Sequence, residues 1–156
     1  MIQRIQTLYL LLSGLLMLIP LFLPVLAVVV PDLGAVYRMG SAGMESPDGS
    51  RSILYSTWAL FGLNILIPIL SFVGIFLYNK RGLQMRVTMF NLILKAGFYA
   101  LLAFYVLQFQ GSLDAVSEIS IRPWVAVPLV CMILDYLAHR GIAIDDRTIR
   151  YMDRLR

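Results

Sequence analysis

The chain has 156 residues, of which 60% are hydrophobic and only 14% charged, where about 25% charged is usual for soluble domains. With a mean hydropathy of +0.81, a chain of this size has too little polar surface to cover its apolar surface in water, which excludes a soluble globular enzyme, a disordered chain and a disulfide scaffold. The net charge of +4 does not point to nucleic acid, because the basic residues gather beside apolar runs and form no single patch interleaved with aromatics.

A membrane span needs about 20 mainly apolar residues, since ~30 Å of hydrocarbon is crossed at a rise of 1.5 Å per residue. Leu8 to Val30 has no charge and is read as the first span. Its length exceeds a usual signal-peptide core, so an uncleaved helix is expected. Pro20 and Pro24 lie four apart on one face of it. Residues 31–52 form a long external loop rich in Gly, Ser and Pro. The uncharged run from Ile53 to Tyr78 is the second span, interrupted by Pro68, and its Asn64 is expected to bond to a neighbouring helix.

Val87 to Phe109 is the third span and carries one charge, Lys95. Ala96, Ala100 and Ala103 give it a face of small residues on which another backbone can approach. The fourth span is the weakest. Pro123 to Ala138 is short and contains Asp135, and it reaches membrane length only by extending over His139 and Arg140 to Ile144. Pro123 suits a first helical turn, Trp124 an interface, and Arg140 can snorkel. Residues 145–156 remain as a short tail.

Orientation follows from the basic residues. Nine of them (Arg4, Lys80, Arg81, Arg86, Arg140, Arg147, Arg150, Arg154 and Arg156) fall on the side of the two termini, and three (Arg38, Arg51 and Arg122) on the other. That is the positive-inside pattern. The expected fold is an all-α antiparallel bundle of four transmembrane helices in a bacterial inner membrane, with both termini cytoplasmic and no appended soluble domain.

Met1-Ile2-Gln3-Arg4-Ile5-Gln6-Thr7 running into a Leu-rich helix, Asn79-Lys80-Arg81-Gly82-Leu83-Gln84-Met85-Arg86 between spans two and three, and the terminal Asp153-Arg154-Leu155-Arg156 resemble a domain-of-unknown-function family of small four-span inner-membrane proteins of Bacteroidetes. The resemblance covers essentially the whole chain and implies a four-helix inner-membrane protein without bringing an activity. Members often have a Ser-small pair where this chain has Tyr151-Met152.

The usual catalytic signatures are missing: no P-loop, no HExxH, no GxSxG and no CxxC. With one His and one Cys, Cys131 in an apolar run, no two-His or Cys-based metal site is possible within one subunit. The chain is therefore read as a non-enzyme without cofactors or metals. What remains is the intramembrane polar set. Lys95 and Asp135 lie on consecutive antiparallel spans at depths their side chains can bridge, and an ionisable residue inside a span is a functional-site hypothesis by default. Asn91, Lys95 and Tyr99 at i, i+4, i+8, with Asp135 and His139 at i, i+4, are expected to form a polar seam. Such a seam serves either as helix-to-helix glue or as a proton or ion path, and glue is preferred because four short spans hardly enclose a pathway without oligomerising.

The tail is expected to form a separate short helix near the membrane surface, capped by Asp145 or Asp146, with Arg147, Arg150 and Arg154 on a stripe facing lipid phosphates or a partner. The function that fits is an accessory or structural subunit of a membrane complex, in contact with lipid and with another membrane protein or further copies of itself. The alternative is an oligomeric small transporter or proton/ion-coupled channel built around Lys95 and Asp135.

Overall fold

The computed structural model describes residues 2–30, 34–45, 53–111 and 118–154. Parts of the 31–52 loop, residues 112–117 and the last two residues of the tail lie outside the described residues. Among the described residues four helical segments are long and apolar enough to cross a membrane: Ile5–Phe22, Trp58–Phe76, Arg81–Gly111 and Pro123–Thr148. They contain helices α1 (Ile2–Leu16), α2 (Ile19–Phe22), α3 (Trp58–Phe76), α4 (Arg81–Gly111) and α5 (Ala126–Arg154).

The helices form a closed antiparallel ring in which α1 packs on α3 and α5, and α4 packs on the same two. Large apolar side chains point outward all round it, among them Leu8, Ile69, Ile93, Leu107 and Ile133, each at least half exposed. Such an outside belongs in lipid. On α4 the buried positions are Gln84, Thr88, Asn91, Lys95, Phe98, Leu102, Val106 and Phe109. Steps of three and four residues average about 3.6, which keeps the buried positions on one face of the helix. The seam is polar from Gln84 to Lys95 and apolar from Phe98 to Phe109.

Hydropathy did not foresee a sheet. Strands β1 (Leu26–Val30), β2 (Ala35–Met39), β3 (Gly43–Glu45), β4 (Ile53–Ser56) and β5 (Glu118–Ile121) form one antiparallel sheet in the order β4-β3-β2-β1-β5. Residues 26–30, expected in span one, are its β1 strand, and residues 53–56, expected in span two, are β4. The first helix ends early because Pro20 lacks an N–H and its ring clashes with the carbonyl four residues back. The chain tightens at Met17 and Leu18, where the Leu18 N–H bonds Leu15 O at 3.1 Å, and resumes as α2 with Pro20 in its first turn. Beyond it the β-branched run Val28-Val29-Val30 takes up the extended conformation it favours.

Leu26, Val28, Met39 and Met44 from the sheet share one continuous core with Leu60, Leu102 and Phe109 from the helices and Met17 from the turn between α1 and α2. Tyr37 of β2 meets Phe109 of α4 edge to face, ring centres 5.4 Å apart. The sheet is thus the lid of the bundle and no separate domain.

The tail also differs from the expectation. Residues 126–154 are one uninterrupted helix, so the tail continues α5 and does not form a second helix with its own cap. Asp145 instead accepts a hydrogen bond from Gln6 Nε2 at 2.8 Å, joining the tail to the first turns of α1.

Candidate functional site

Four helices each contribute a polar group to one buried cluster. The heptad-like spacing puts Asn91 and Lys95 of α4 on the seam, and the same spacing on α5 buries Cys131, Asp135, Ala138 and Ile142. Lys95 and Asp135 are wholly buried and form a salt bridge between Nζ and Oδ2. Lys95 Nζ also donates to Ser13 Oγ of α1 at 2.8 Å. Asn91 Nδ2 donates to Asp135 Oδ2 at 3.2 Å and to Ser71 Oγ of α3 at 2.7 Å. Ser71 Oγ in turn donates to the Ile67 carbonyl at 3.2 Å, and Cys131 Sγ to the Ser13 carbonyl at 3.5 Å.

The electrostatics are those of a charge pair taken out of water, which is tolerated only when the remaining lone pairs and protons find partners. Lys95 has two of its three donors engaged, one by charge and one by a hydroxyl. Asp135 Oδ2 accepts from both Lys95 and Asn91, whereas Asp135 Oδ1 and Asn91 Oδ1 are buried and, among the described residues, have no hydrogen-bond partner.

Of the residues the spacing grouped together, the structure joins Lys95, Asp135 and Asn91 and leaves out two. Tyr99 OH turns toward the sheet end and donates to the Val125 carbonyl at 2.6 Å, at the turn that starts α5. His139 is half-buried, and among the described residues its Nδ1 has no hydrogen-bond partner. Arg147 is exposed on the last turns of α5, and Arg150 and Arg154 lie on the same helix with side chains outside the described residues.

Sequence reasoning missed Ser13 and Ser71. Their signal was position: each is a hydroxyl inside the apolar stretch of its span. A second polar cluster lies at the sheet end and was read differently. Among the described residues Asn64 bonds to no other helix. Its Nδ2 donates to Ser41 Oγ at 2.7 Å, Ser41 Oγ donates to the Pro20 carbonyl at 2.5 Å, and Thr57 Oγ1 donates to the Ser41 carbonyl at 2.9 Å. This chain of bonds ties the segment between β2 and β3 to α2 and α3. Among the described residues no three His, Cys, Asp or Glu side chains come together as a metal site.

An apolar ring of helices closed over a buried ion pair defines a membrane protein. The chain matches the family described as "Domain of unknown function (DUF4293)" over residues 2–155 and belongs to it. No curated protein matches the chain.

Proposed function

We propose that the protein is a non-enzymatic accessory or structural subunit of a complex in the bacterial inner membrane, with both termini in the cytoplasm and the sheet on the opposite face. The observation that carries this reading is the closure of the Lys95–Asp135 pair within a single chain, each of the four spanning helices giving it a partner or a partner's partner. A charge pair sealed at zero exposure fixes helix register, as single buried polar groups do in other bundles, and offers an ion no entry. The excess of basic residues on the side of the termini supports the orientation.

One observation favours the second reading, an oligomeric proton- or ion-coupled transporter. Asp135 Oδ1 and His139 Nδ1 are buried and, among the described residues, have no hydrogen-bond partner, and ionisable groups inside a span mark proton and ion pathways. Reconstitution into liposomes containing a pH-sensitive dye separates the two. The structural reading expects no flux above empty liposomes for the wild type or for Asp135→Asn, together with a clear loss of thermal stability in that variant. Wild-type flux that disappears in Asp135→Asn overturns it.

A further inference from the structure

The outermost strand of the sheet carries a surface that fits itself. β5 pairs with β1 on one side, Leu26 opposite Ile121 and Val28 opposite Ile119, and no described strand covers its other side. The Arg122 N–H donates to the Val25 carbonyl at 3.3 Å, so the backbone groups of Arg122, Ser120 and Glu118 turn toward β1. By the alternation of an antiparallel ladder, those of Ile119 and Ile121 turn to the free edge.

The side chains repeat the message. Ile119 and Ile121 lie on the same face as Leu26 and Val28, which are 6% and 0% exposed, yet they are themselves 45% and 71% exposed. β5 therefore overhangs the core with two isoleucines that no described residue buries. It has no Lys or Pro within it, the usual means of blunting an edge.

Glu118-Ile119-Ser120-Ile121-Arg122 reads alike from both ends in its chemistry, apolar at two positions about a central Ser with opposite charges at the ends. We propose that β5 is a homodimerisation edge, at which two copies of the chain pair antiparallel about a two-fold axis through Ser120. In that register Ile119 of each copy lies opposite Ile121 of the other, both with outward N–H and C=O groups, so two doubly hydrogen-bonded pairs form. Glu118 of each copy lies opposite Arg122 of the other on the far face, where opposite charges attract. A shift by one residue would set outward-turned backbone groups against inward-turned ones, and a shift of the axis to Ile119 or Ile121 separates the charges.

The symmetry also suits a bilayer. A two-fold axis perpendicular to the sheet keeps both inner faces on the same side, so both helix bundles enter one membrane in the same orientation, as an isologous dimer there requires. The product is one sheet of ten strands, five from each copy. The inference is independent of whether the bundle serves as a scaffold or conducts.

Disulfide mapping tests it on the full-length chain in native membranes, in a Cys131→Ser background. The Ser120–Ser120 pair is of the non-hydrogen-bonded type, with Cα atoms ~4.5 Å apart, within the ~4.4–6.8 Å a disulfide spans. Ser120→Cys is expected to give a linked dimer on mild oxidation. Glu118→Cys or Arg122→Cys alone, ~13 Å from its own copy at a rise of ~3.3 Å per residue, gives at least tenfold less, whereas the two co-expressed link to each other. Ile119→Pro, which removes an outward N–H and leaves the β1 ladder intact, is expected to make the protein monomeric in nanodiscs. Glu118→Arg does the same, and adding Arg122→Glu restores the dimer. Equal linking at all three cysteine positions, a charge-swapped double variant as monomeric as the single, or Ser120→Cys linking to a foreign protein while the wild type stays monomeric would each overturn the proposal.

Discussion

Lys95 Nζ of α4 donates to Ser13 Oγ of α1 at 2.8 Å, so the ammonium group is held by two helices at once, through a carboxylate on α5 and a hydroxyl on α1. A hydrogen bond to a charged group is worth about 1.5–3 kcal/mol. Ser13→Ala is expected to lower stability by that order in thermal unfolding in detergent, and the loss should couple to Lys95→Leu in a double-mutant cycle. Tyr99→Phe, which breaks a bond to Val125 at the other end, should add to both without coupling.

The ion pair itself gives a second expectation. Removing one partner leaves an uncompensated buried charge, which costs about 3–5 kcal/mol in buried pairs, whereas removing both leaves apolar groups of similar volume. Lys95→Leu and Asp135→Leu should each lower Tm further than the double variant does. A double variant as unstable as the two losses added together would contradict the pairing.

Gly141 on α5 is where a Cβ would meet Gln6, 3.0 Å from Cγ and 3.2 Å from Nε2. Gly to Ala gains up to about 1 kcal/mol of helix propensity, but here the added methyl displaces the amide that binds Asp145. Gly141→Ala is expected to be neutral to destabilising in the wild type. In a Gln6→Ala background, where the obstruction is gone, the same change should stabilise.

Ser41 is both donor to Pro20 and acceptor for Asn64, and Ser41→Ala leaves a buried amide short of a partner, a loss of about 1–3 kcal/mol. Because these bonds hold the sheet to α2 and α3, the loss should be local. Hydrogen exchange is expected to quicken in β2 and β3 while α4 and α5 keep their protection.

The continuity of α5 predicts the behaviour of the tail. Amides of residues 141–148 should exchange slowly in nanodiscs with or without anionic lipid, because Asp145 is anchored to Gln6. Exchange that slows only with anionic lipid would return the contact to the membrane surface.

The pair at the centre was legible because a charge inside an apolar run has few places to go. The extent of the seam was not, and Tyr99 shows why. At 3.6 residues per turn, a step of eight residues turns about 80° past the starting face, so Tyr99 leaves the stripe that Phe98 continues. The sheet was hidden for a different reason. Leu26–Val30 is as apolar as a span, and hydropathy averages take no account of whether the backbone is coiled or extended. Pro24 and the run of three valines were the local signs. Ser13 and Ser71 escaped notice because a hydroxyl can satisfy itself on its own helix, as Ser71 also does on Ile67.

The polar half of the α4 seam bears on the order in which the chain is made. Lys95 is synthesised forty residues before its counter-ion, and a lysine at the centre of a lone inserted helix costs about 2.5–3.5 kcal/mol on insertion scales. Asp135 carries a similar penalty on α5. Neither helix is at ease in lipid as a single segment, while the two together neutralise each other. The last two helices of the bundle should therefore leave the insertion machinery as one hairpin, with α4 held back at the translocon until α5 has emerged.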